Sequence, residues 1–243
     1  FDLYHFNEPD FTALKNVQQA YVSWKPKGGK GFQADFGKFV TSAGAEVFET
    51  HANWNYSRSL LYAWAEPFYH FGLRTSVPLG KYFSAGVHII NGWNNVEDNN
   101  TGKTWGFTGT LTLPKIAWTN TYHVGPEKTD TNKGLRHLYD TAAVFTLSPK
   151  LNSYLNFDYG VDKKVLGGAN RWVGIAAAAR YQFTGRFALA PRIEWYNDAD
   201  GFTTGTRQKL KEVTFTGEWK LAEGLLTRLE YRRDWSDKPF FDR

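Results

Sequence analysis

The chain contains no cysteine, which excludes disulfide bridges and thiolate-bound metal centres without identifying a compartment. No apolar run approaches the roughly 18 residues of a membrane-spanning helix, so any segment that crosses a membrane must be a strand. Basic residues exceed acidic ones only slightly and are spread along the chain, which gives no electrostatic footprint for a nucleic acid. No Pro- or Ser-rich linker divides the sequence, and this predicts a single domain over residues 1–243.

Short turns recur along the sequence at a nearly constant spacing. Six of them lie around Gly28, Leu79, Pro114, Pro149, Gly185 and Glu223. From the second onward they are roughly 35 to 38 residues apart, which fits two strands of about ten residues, one tight turn and one longer loop. The longer connections are rich in polar residues and glycine and cover 41–67, 91–103, 125–135, 160–170 and 197–207. This alternation predicts an all-β fold, an antiparallel up-and-down transmembrane β-barrel with about 12 strands visible.

Apolar and polar residues alternate with a period of two within the predicted strands. Phe71, Leu73 and Val77 share one face of their strand, whereas Arg74 and Ser76 share the other. Trp and Tyr gather near the predicted strand ends, as they do in the aromatic girdles of membrane barrels. We therefore expect one face toward outer-membrane lipids and the other toward small polar solutes or ions in the interior.

Charged side chains occupy many of the positions predicted to face inward. The candidate pore-lining residues are Arg74, His88, Arg180, Arg192, Glu194, Glu212, Glu218, Arg228, Glu230 and Arg232. Charges in a dry core each cost several kcal/mol unless they are paired, so these residues require water or a dense ion-pair network. A barrel of about twelve or more strands can hold a hydrated lumen. A water-filled pore and a barrel plugged by salt bridges both stay open at this point.

The connection 41–67 is roughly 15 residues longer than the repeat predicts. It carries Glu46, Glu49 and Arg58, which are candidate constriction residues, and its aromatic and aliphatic content argues against disorder. A short helical turn capped by Ser57 is expected within it. We expect this segment to fold into or over the lumen and narrow it; an external loop packed on its neighbours is the alternative.

Four stretches resemble a known family. They are GKFVTSAGAE at 37–46, NWNYSRSLL at 53–61, NGWNNVED at 91–98 and EYRRDWS at 230–236. Together, and over most of the chain, they resemble the putative β-barrel porin-2 family, the OmpL-like outer-membrane porins of Gram-negative bacteria. The resemblance implies a barrel in the bacterial outer membrane with passive-diffusion activity and no defined substrate. Compared with that family, the sequence lacks a signal peptide and a closing C-terminal strand, so a partial chain is expected.

Catalytic and metal-binding motifs are sparse. The histidines show no zinc-type spacing, and nucleophile-elbow and phosphate-loop motifs are absent, so we expect neither an enzyme nor a cofactor. Asp198 and Asp200 are weak candidates for Ca²⁺, although hairpin-loop chemistry alone also favours such residues. The alternatives are a soluble β-sandwich that binds carbohydrate through its Trp residues, and a plugged outer-membrane barrel that acts as an enzyme or adhesin. Assembly as a homo-oligomer is left open.

Overall fold

The computed structural model describes residues 17–241. The first residues of the chain, on which the expectation of a missing leader depends, lie outside this range. The described chain forms one antiparallel sheet of twelve strands in sequential order. The strands are β1 (Ala20–Trp24), β2 (Gln33–Val40), β3 (Tyr69–Pro78), β4 (Phe83–Ile90), β5 (Thr104–Leu113), β6 (Ile116–Gly125), β7 (Arg136–Ser148), β8 (Leu151–Lys163), β9 (Ala169–Gln182), β10 (Phe187–Asp198), β11 (Gln208–Ala222) and β12 (Leu225–Ser236). β1 and β12 form the two edges of the described sheet.

Short and long connections alternate along this sheet, and all six predicted short turns join consecutive strands. One predicted long loop is wrong in length: in place of 160–170, the connection between β8 and β9 is only 164–168. Gly160 and Asp162 were assigned to the loop because they are typical turn residues, yet both are paired with β9. Asp162 is buried and bound by Lys128 and Arg136, and these ion pairs hold it within the sheet.

The two faces of the sheet differ as the period-two pattern predicts. On one face, large apolar side chains such as Ile193 and Leu229 are 59% and 72% exposed. On the other face, polar residues such as Arg192, Thr214 and Asp158 are fully buried. Water would not favour so much exposed apolar surface, whereas the hydrocarbon of a bilayer would. We call these the apolar face and the polar face.

The segment 41–68 lies on the polar face. At its start, the carbonyl oxygen of Ser42 accepts a hydrogen bond from Thr121 of β6 (3.0 Å). Further along, Asn55 donates to Thr216 of β11 (2.8 Å). The imidazole rings of His70 on β3 and His123 on β6 are 4.9 Å apart on this face, although these strands are three strand spacings apart in the sheet, so the polar face is concave. The segment therefore occupies the hollow side of a curled sheet.

The main hydrophobic cluster lies between this segment and strands β8 to β11. Leu61 and Ala65 are fully buried there against Trp172 and Tyr196. The indole nitrogen of Trp172 donates to the carbonyl oxygen of Ala65 (3.0 Å), so the packing is also directional. Burying one such leucine side chain contributes about 1.5–3 kcal/mol, which favours the docked position of the segment.

The segment contains two short helical elements, a 3-10 turn at Thr50–Ala52 and a π-helical turn at Leu61–Ala65. The predicted helical turn is present, but the predicted cap is wrong. The turn begins after Leu60, and the hydroxyl of Ser59, not Ser57, accepts a hydrogen bond from the N–H of Tyr62 (3.0 Å). Within residues 17–241 the structure has no helix with the length and apolarity needed to span a membrane.

Candidate functional site

Arg192 of β10 lies on the polar face and has no exposed surface. Its guanidinium contacts Glu46 of the segment at 2.5 Å and both Glu194 and Glu212 of the sheet at 3.1 Å. It also donates to the carbonyl oxygen of Ser57 (2.9 Å). Because one guanidinium has five donors in a planar fork, it can serve several acceptors at once. Arg192 therefore joins the segment to β10 and β11.

Carboxylates on the polar face also bind the backbone of residues 56–61. Glu230 accepts two hydrogen bonds from N–H groups of this stretch (2.6 and 2.9 Å), and Glu194 accepts two more (2.7 and 3.2 Å). Glu46, within the segment itself, accepts a fifth (2.8 Å). Charge-assisted hydrogen bonds of this kind are stronger than neutral ones. They satisfy backbone donors that have no strand partner.

A second ion-pair group lies nearer the short turns. Glu218 of β11 contacts Arg180 of β9 at 2.5 Å and Arg228 of β12 at 2.9 Å. Arg228 also donates to the backbone carbonyl oxygens of Thr50 and Asn53 (2.9 and 2.7 Å). The arginine side chains are only partly buried, with 22% of Arg180 and 10% of Arg228 exposed. This group therefore combines a contact to the segment with access to water.

The remaining candidates on β12 and in the segment interact locally. Arg232 pairs with Asp234 at 2.8 Å and donates to the carbonyl oxygen of Arg58. The Arg58 side chain donates to the carbonyl oxygen of Phe48 (2.5 Å), within the segment. Glu49 accepts a hydrogen bond from the side chain of Gln18 (2.7 Å). Each candidate constriction residue is thus held by a hydrogen bond or ion pair.

On the first strands, Arg74 of β3 pairs with Asp35 of β2 at 2.9 Å. His88 of β4 is the cross-strand partner of Arg74, and it lies in a buried group with His70 and His123. The ring centroids of His123 are 4.9 Å from His70 and 6.0 Å from His88. The sequence spacing of these histidines did not predict their proximity, because they belong to three different strands.

Glu127 anchors the neighbouring loops 91–103 and 126–135. Its carboxylate accepts hydrogen bonds from the backbone N–H of Trp93 (2.7 Å) and the hydroxyl of Thr104 (2.6 Å). Burial raises the pKa of Glu127 above its ordinary value, against the lowering effects of Arg136 and of these two donors. The carboxyl group of Glu127 therefore links the loop 126–135 to Trp93 and Thr104, and burial of its charge has a cost in free energy.

The two weak calcium candidates are engaged in their own loop. Asp198 is fully buried and accepts hydrogen bonds from the N–H groups of Phe202, Thr203 and Thr204 (2.8, 2.9 and 2.8 Å). Asp200 accepts from the N–H of Arg171 (2.8 Å). Loop donors thus occupy these oxygens, as turn chemistry predicts for Asp in a hairpin connection.

Three buried carboxylates were not among the candidates chosen from the sequence. Asp140 of β7 and Asp158 of β8 are cross-strand partners on the polar face, and Glu66 at the end of the segment lies beside them. Asp158 continues the polar positions Asn152 and Asn156 at a period of two, and this alternation is the sequence signal that could have singled it out. Nothing in the sequence predicts that Glu66 lies close to these two aspartates.

Comparison with solved structures identifies the architecture. The outer-membrane channel DcaP of Acinetobacter baumannii has a TM-score of 0.63 at 9% identity, covering 83% of this chain and 65% of its own. The chain therefore spans about two thirds of the length of DcaP. Outer-membrane expressed OmpT of Vibrio cholerae has a TM-score of 0.63 at 14% identity, covering 90% of this chain and 70% of its own.

A third solved structure, a porin refined at 1.8 Å, has a TM-score of 0.56 at 13% identity and covers 91% of this chain and 87% of its own. At such identities these likenesses establish the fold, and the predicted antiparallel up-and-down β-barrel is confirmed. No curated protein matches the sequence.

Sequence comparison with protein families gives a match over nearly the whole chain. The matching family is described as putative beta-barrel porin-2, OmpL-like, and the match covers residues 4–243. This confirms the resemblance found in the sequence motifs, and together with the fold it places the chain among barrels of the bacterial outer membrane. The chain belongs to the putative beta-barrel porin-2, OmpL-like family.

Proposed function

We propose that this protein is a porin through which small hydrophilic solutes or ions diffuse passively across the outer membrane, and that it is not an enzyme. The observation that carries the proposal is the polarity of the sheet: apolar side chains are exposed on the convex face, and polar and charged side chains line the concave one. A barrel with a lipid-facing exterior and a polar interior is the arrangement of a water-filled outer-membrane channel.

The segment 41–68 is the proposed constriction. Its backbone is bound by carboxylates of the concave wall, and its apolar residues pack on β8 to β11. A segment fixed in this way reduces the open cross-section on one side of the lumen. Glu46 is buried and forms an ion pair with Arg192. Glu49 and Arg58 lie where the segment is more exposed. We assign Glu46 to anchoring and the other two to the edge of the constriction.

The charges that solutes meet are the partly exposed ones. Arg74, Arg180, Arg228 and Arg232 keep between 10% and 25% of their side-chain surface accessible, and each has a carboxylate partner. Arg192 does not contact solutes directly, because its side chain has no exposed surface. Paired charges along a hydrated wall set a local field that polar solutes and ions experience as they pass.

Single-channel recording in planar bilayers tests this function. We would compare the refolded wild-type protein with Arg180→Gln, which removes a partly exposed cation from the lumen wall. The matched control is Arg171→Gln, because Arg171 lies on the same strand but its side chain is on the opposite face of the sheet. We expect discrete ohmic steps, and a reversal potential in a salt gradient that moves toward cation preference in Arg180→Gln and not in the control.

Absence of conductance from protein that is folded and inserted would contradict the porin proposal. It would instead favour a barrel plugged by its segment, which the density of ion pairs around Arg192 makes the leading competitor. An equal shift of the reversal potential in both variants would contradict the assignment of Arg180 to the lumen.

Homo-oligomeric assembly is a further part of the proposal. Small side chains at Ala177 and Ala179 leave a hollow of about 380 Å³ on the apolar face, bordered by Leu155 and Ile193. A second copy can approach closely there, as small residues permit in membrane interfaces. Cross-linking in mild detergent tests this assembly, and a protein that stays monomeric over a wide concentration range would contradict it.

A further inference from the structure

Three acidic side chains converge on the concave face away from the Arg192 network. Asp140 and Asp158 are directly opposite each other on β7 and β8, and Glu66 reaches them from the end of the segment 41–68. One oxygen from each carboxylate lies within 4.8 Å of the others. All three residues are buried, Asp140 and Asp158 completely.

Four of the six carboxylate oxygens in this cluster lack partners, which is the second observation; Asp140 accepts one hydrogen bond, from the side chain of Asn156 (2.7 Å). Both oxygens of Asp158, one of Asp140 and one of Glu66 have no hydrogen-bond partner within the described chain. Buried polar atoms are otherwise almost always hydrogen-bonded. None of the ion pairs between residues 17–241 includes any of these three side chains. The side chain of Asp158 is thus buried in the cluster without a donor from outside it, and its carboxyl can hydrogen-bond to the carboxyl of Asp140 only if the two share a proton.

Charge balance makes this arrangement expensive for a bare protein. Like charges directly opposite across a strand pair destabilise a sheet, and each unpaired buried ion costs several kcal/mol. Arg192, a buried cation of the same face, is already shared by three other carboxylates. The cluster therefore needs either protons or a bound cation, and a cation would satisfy all the orphaned oxygens together.

The donor set selects the kind of cation. Three carboxylates and no sulfur or imidazole are the ligands of a hard divalent ion. Ca²⁺ binds oxygens at about 2.3–2.6 Å, so ligands on opposite sides of the ion are up to about 5 Å apart. One oxygen from each of the three carboxylates lies within 4.8 Å of the others, which is compatible with this geometry. Mg²⁺ loses its water ligands reluctantly and usually keeps several of them, so a buried cage of protein carboxylates favours Ca²⁺.

Gly44 gives the cluster its remaining wall. A Cβ atom at this position would collide with both carboxylate oxygens of Glu66, and the backbone of Gly44 has a positive φ of 90°. Gly44, near the start of the segment, therefore packs against the carboxylate of Glu66, near its end. Only glycine accommodates both the conformation and the close approach.

We propose that Glu66, Asp140 and Asp158 form a Ca²⁺ site that cross-links the end of the segment 41–68 to strands β7 and β8. The ion would replace the missing hydrogen bonds of the three carboxylates and neutralise most of their charge. It would hold the segment by a third attachment, separate from the Arg192 network and from the hydrophobic cluster. This inference concerns the attachment of the segment and does not depend on what passes through the barrel.

Equilibrium dialysis of ⁴⁵Ca²⁺ against detergent-refolded protein is the direct test, since refolding from denaturant leaves no membrane lipid to bind the ion. We expect about one Ca²⁺ per chain for the wild type and loss of this binding in Asp158→Asn. The matched control is Asp35→Asn, which changes a buried aspartate of the same face that pairs with Arg74. We expect the control to retain the bound ion.

Thermal unfolding in Ca²⁺ and in EGTA gives the second readout. The wild type and Asp35→Asn should melt at a higher temperature in Ca²⁺, and Asp158→Asn should lose that difference. If Asp158→Asn does not fold, Glu66→Gln at the segment end replaces it. Absence of stoichiometric binding to the wild type would overturn the proposal and favour a protonated cluster. Unchanged binding in a folded Asp158→Asn or Glu66→Gln variant would overturn it as well.

Discussion

Arg192 shows how one side chain controls the charge balance of the barrel interior. It is the shared partner of Glu46, Glu194 and Glu212, and none of these four side chains has appreciable exposure. Such a group differs from a surface salt bridge, whose contribution is small and screened by salt. Because its carboxylates also bind the segment backbone, the loss of the cation affects both the wall and the segment.

We predict that Arg192→Met destabilises the protein by about 3–5 kcal/mol, because the substitution leaves buried carboxylates without their partner. Urea unfolding in detergent micelles measures this. Arg186→Met is the control, since Arg186 is exposed at a short turn, and we expect it to have little effect. Equal stability of Arg192→Met and wild type would show that the interior charges are neutral or solvated.

Glu127 provides a residue-scale prediction about pH. Burial raises its pKa in the folded state, while Arg136 and two hydrogen-bond donors lower it and Asp98 adds to the rise. A carboxyl group with a raised folded pKa contributes stability that is fully present below its unfolded pKa. That contribution is lost as the pH rises through the folded pKa.

The stability of wild type relative to Glu127→Gln should therefore increase as the pH is lowered from 7 toward about 4.5. Melting temperatures of the two proteins across this range give the measurement. Glu97→Gln, on an exposed position of loop 91–103, is the control and should run parallel to wild type. A difference that shrinks on acidification would mean that the ionised form of Glu127 is the favoured one.

At the scale of elements, the docking of the segment depends on one close approach between strands. Gly160 of β8 is paired with Trp172 of β9, and a Cβ atom on Gly160 would collide with the indole ring. The indole covers this glycine and donates to Ala65 at the end of the π-helical turn. Gly160 thus leaves the space that the indole of Trp172 occupies. The indole in turn positions the segment 41–68 through its hydrogen bond to Ala65.

We expect Gly160→Ala to displace the indole and destabilise the protein by about 1–3 kcal/mol, the range for an overpacked core. Urea unfolding measures the loss, and near-UV circular dichroism reports the changed packing of the tryptophan. Gly185→Ala, at a short turn with no heavy atom within 4 Å of the new Cβ, is the matched control and should behave as wild type. A silent Gly160→Ala would show that Trp172 has room to move.

At the scale of the whole molecule, the barrel exposes apolar residues and buries charged ones, the opposite of a soluble protein. Exposed apolar side chains cover the convex face, while the concave face buries charges and the segment that binds them. A soluble sandwich would place its apolar residues between two sheets and its charges outside. The observed arrangement is stable when the convex face meets hydrocarbon, which agrees with the family and with the fold.

A lysine on the convex face should therefore destabilise the inserted barrel. We predict that Ile193→Lys reduces the stability of the barrel in lipid vesicles by about 2–4 kcal/mol, the cost of a lysine near the bilayer midplane. The control is Leu166→Lys, because Leu166 is 99% exposed in the connection 164–168, outside the strands. Folding into vesicles, followed by the electrophoretic shift of the heated and unheated protein, distinguishes the two. Equal folding of both variants would contradict a lipid-facing role for Ile193.

The sequence by itself determined the strands, their order and the facing of their side chains. Period two and the spacing of turns are local properties of the chain, so Arg192 and Glu230 could be assigned to the inner face without coordinates. The same local signals failed at Gly160 and Asp162, where turn-type residues continue a strand because β9 pairs with them. Local preference was overridden there by pairing between strands.

Only the tertiary structure decided which inner residues meet. Glu46 and Arg192 are 146 positions apart, and Glu66 lies far in sequence from Asp140 and Asp158. Their contacts depend on the curvature of the sheet and on the path of the segment across it, and neither is encoded in the periodicity of a single strand. The partition of charges into buried anchors and partly exposed wall residues follows from that path, because the segment removes water from the side chains that it covers.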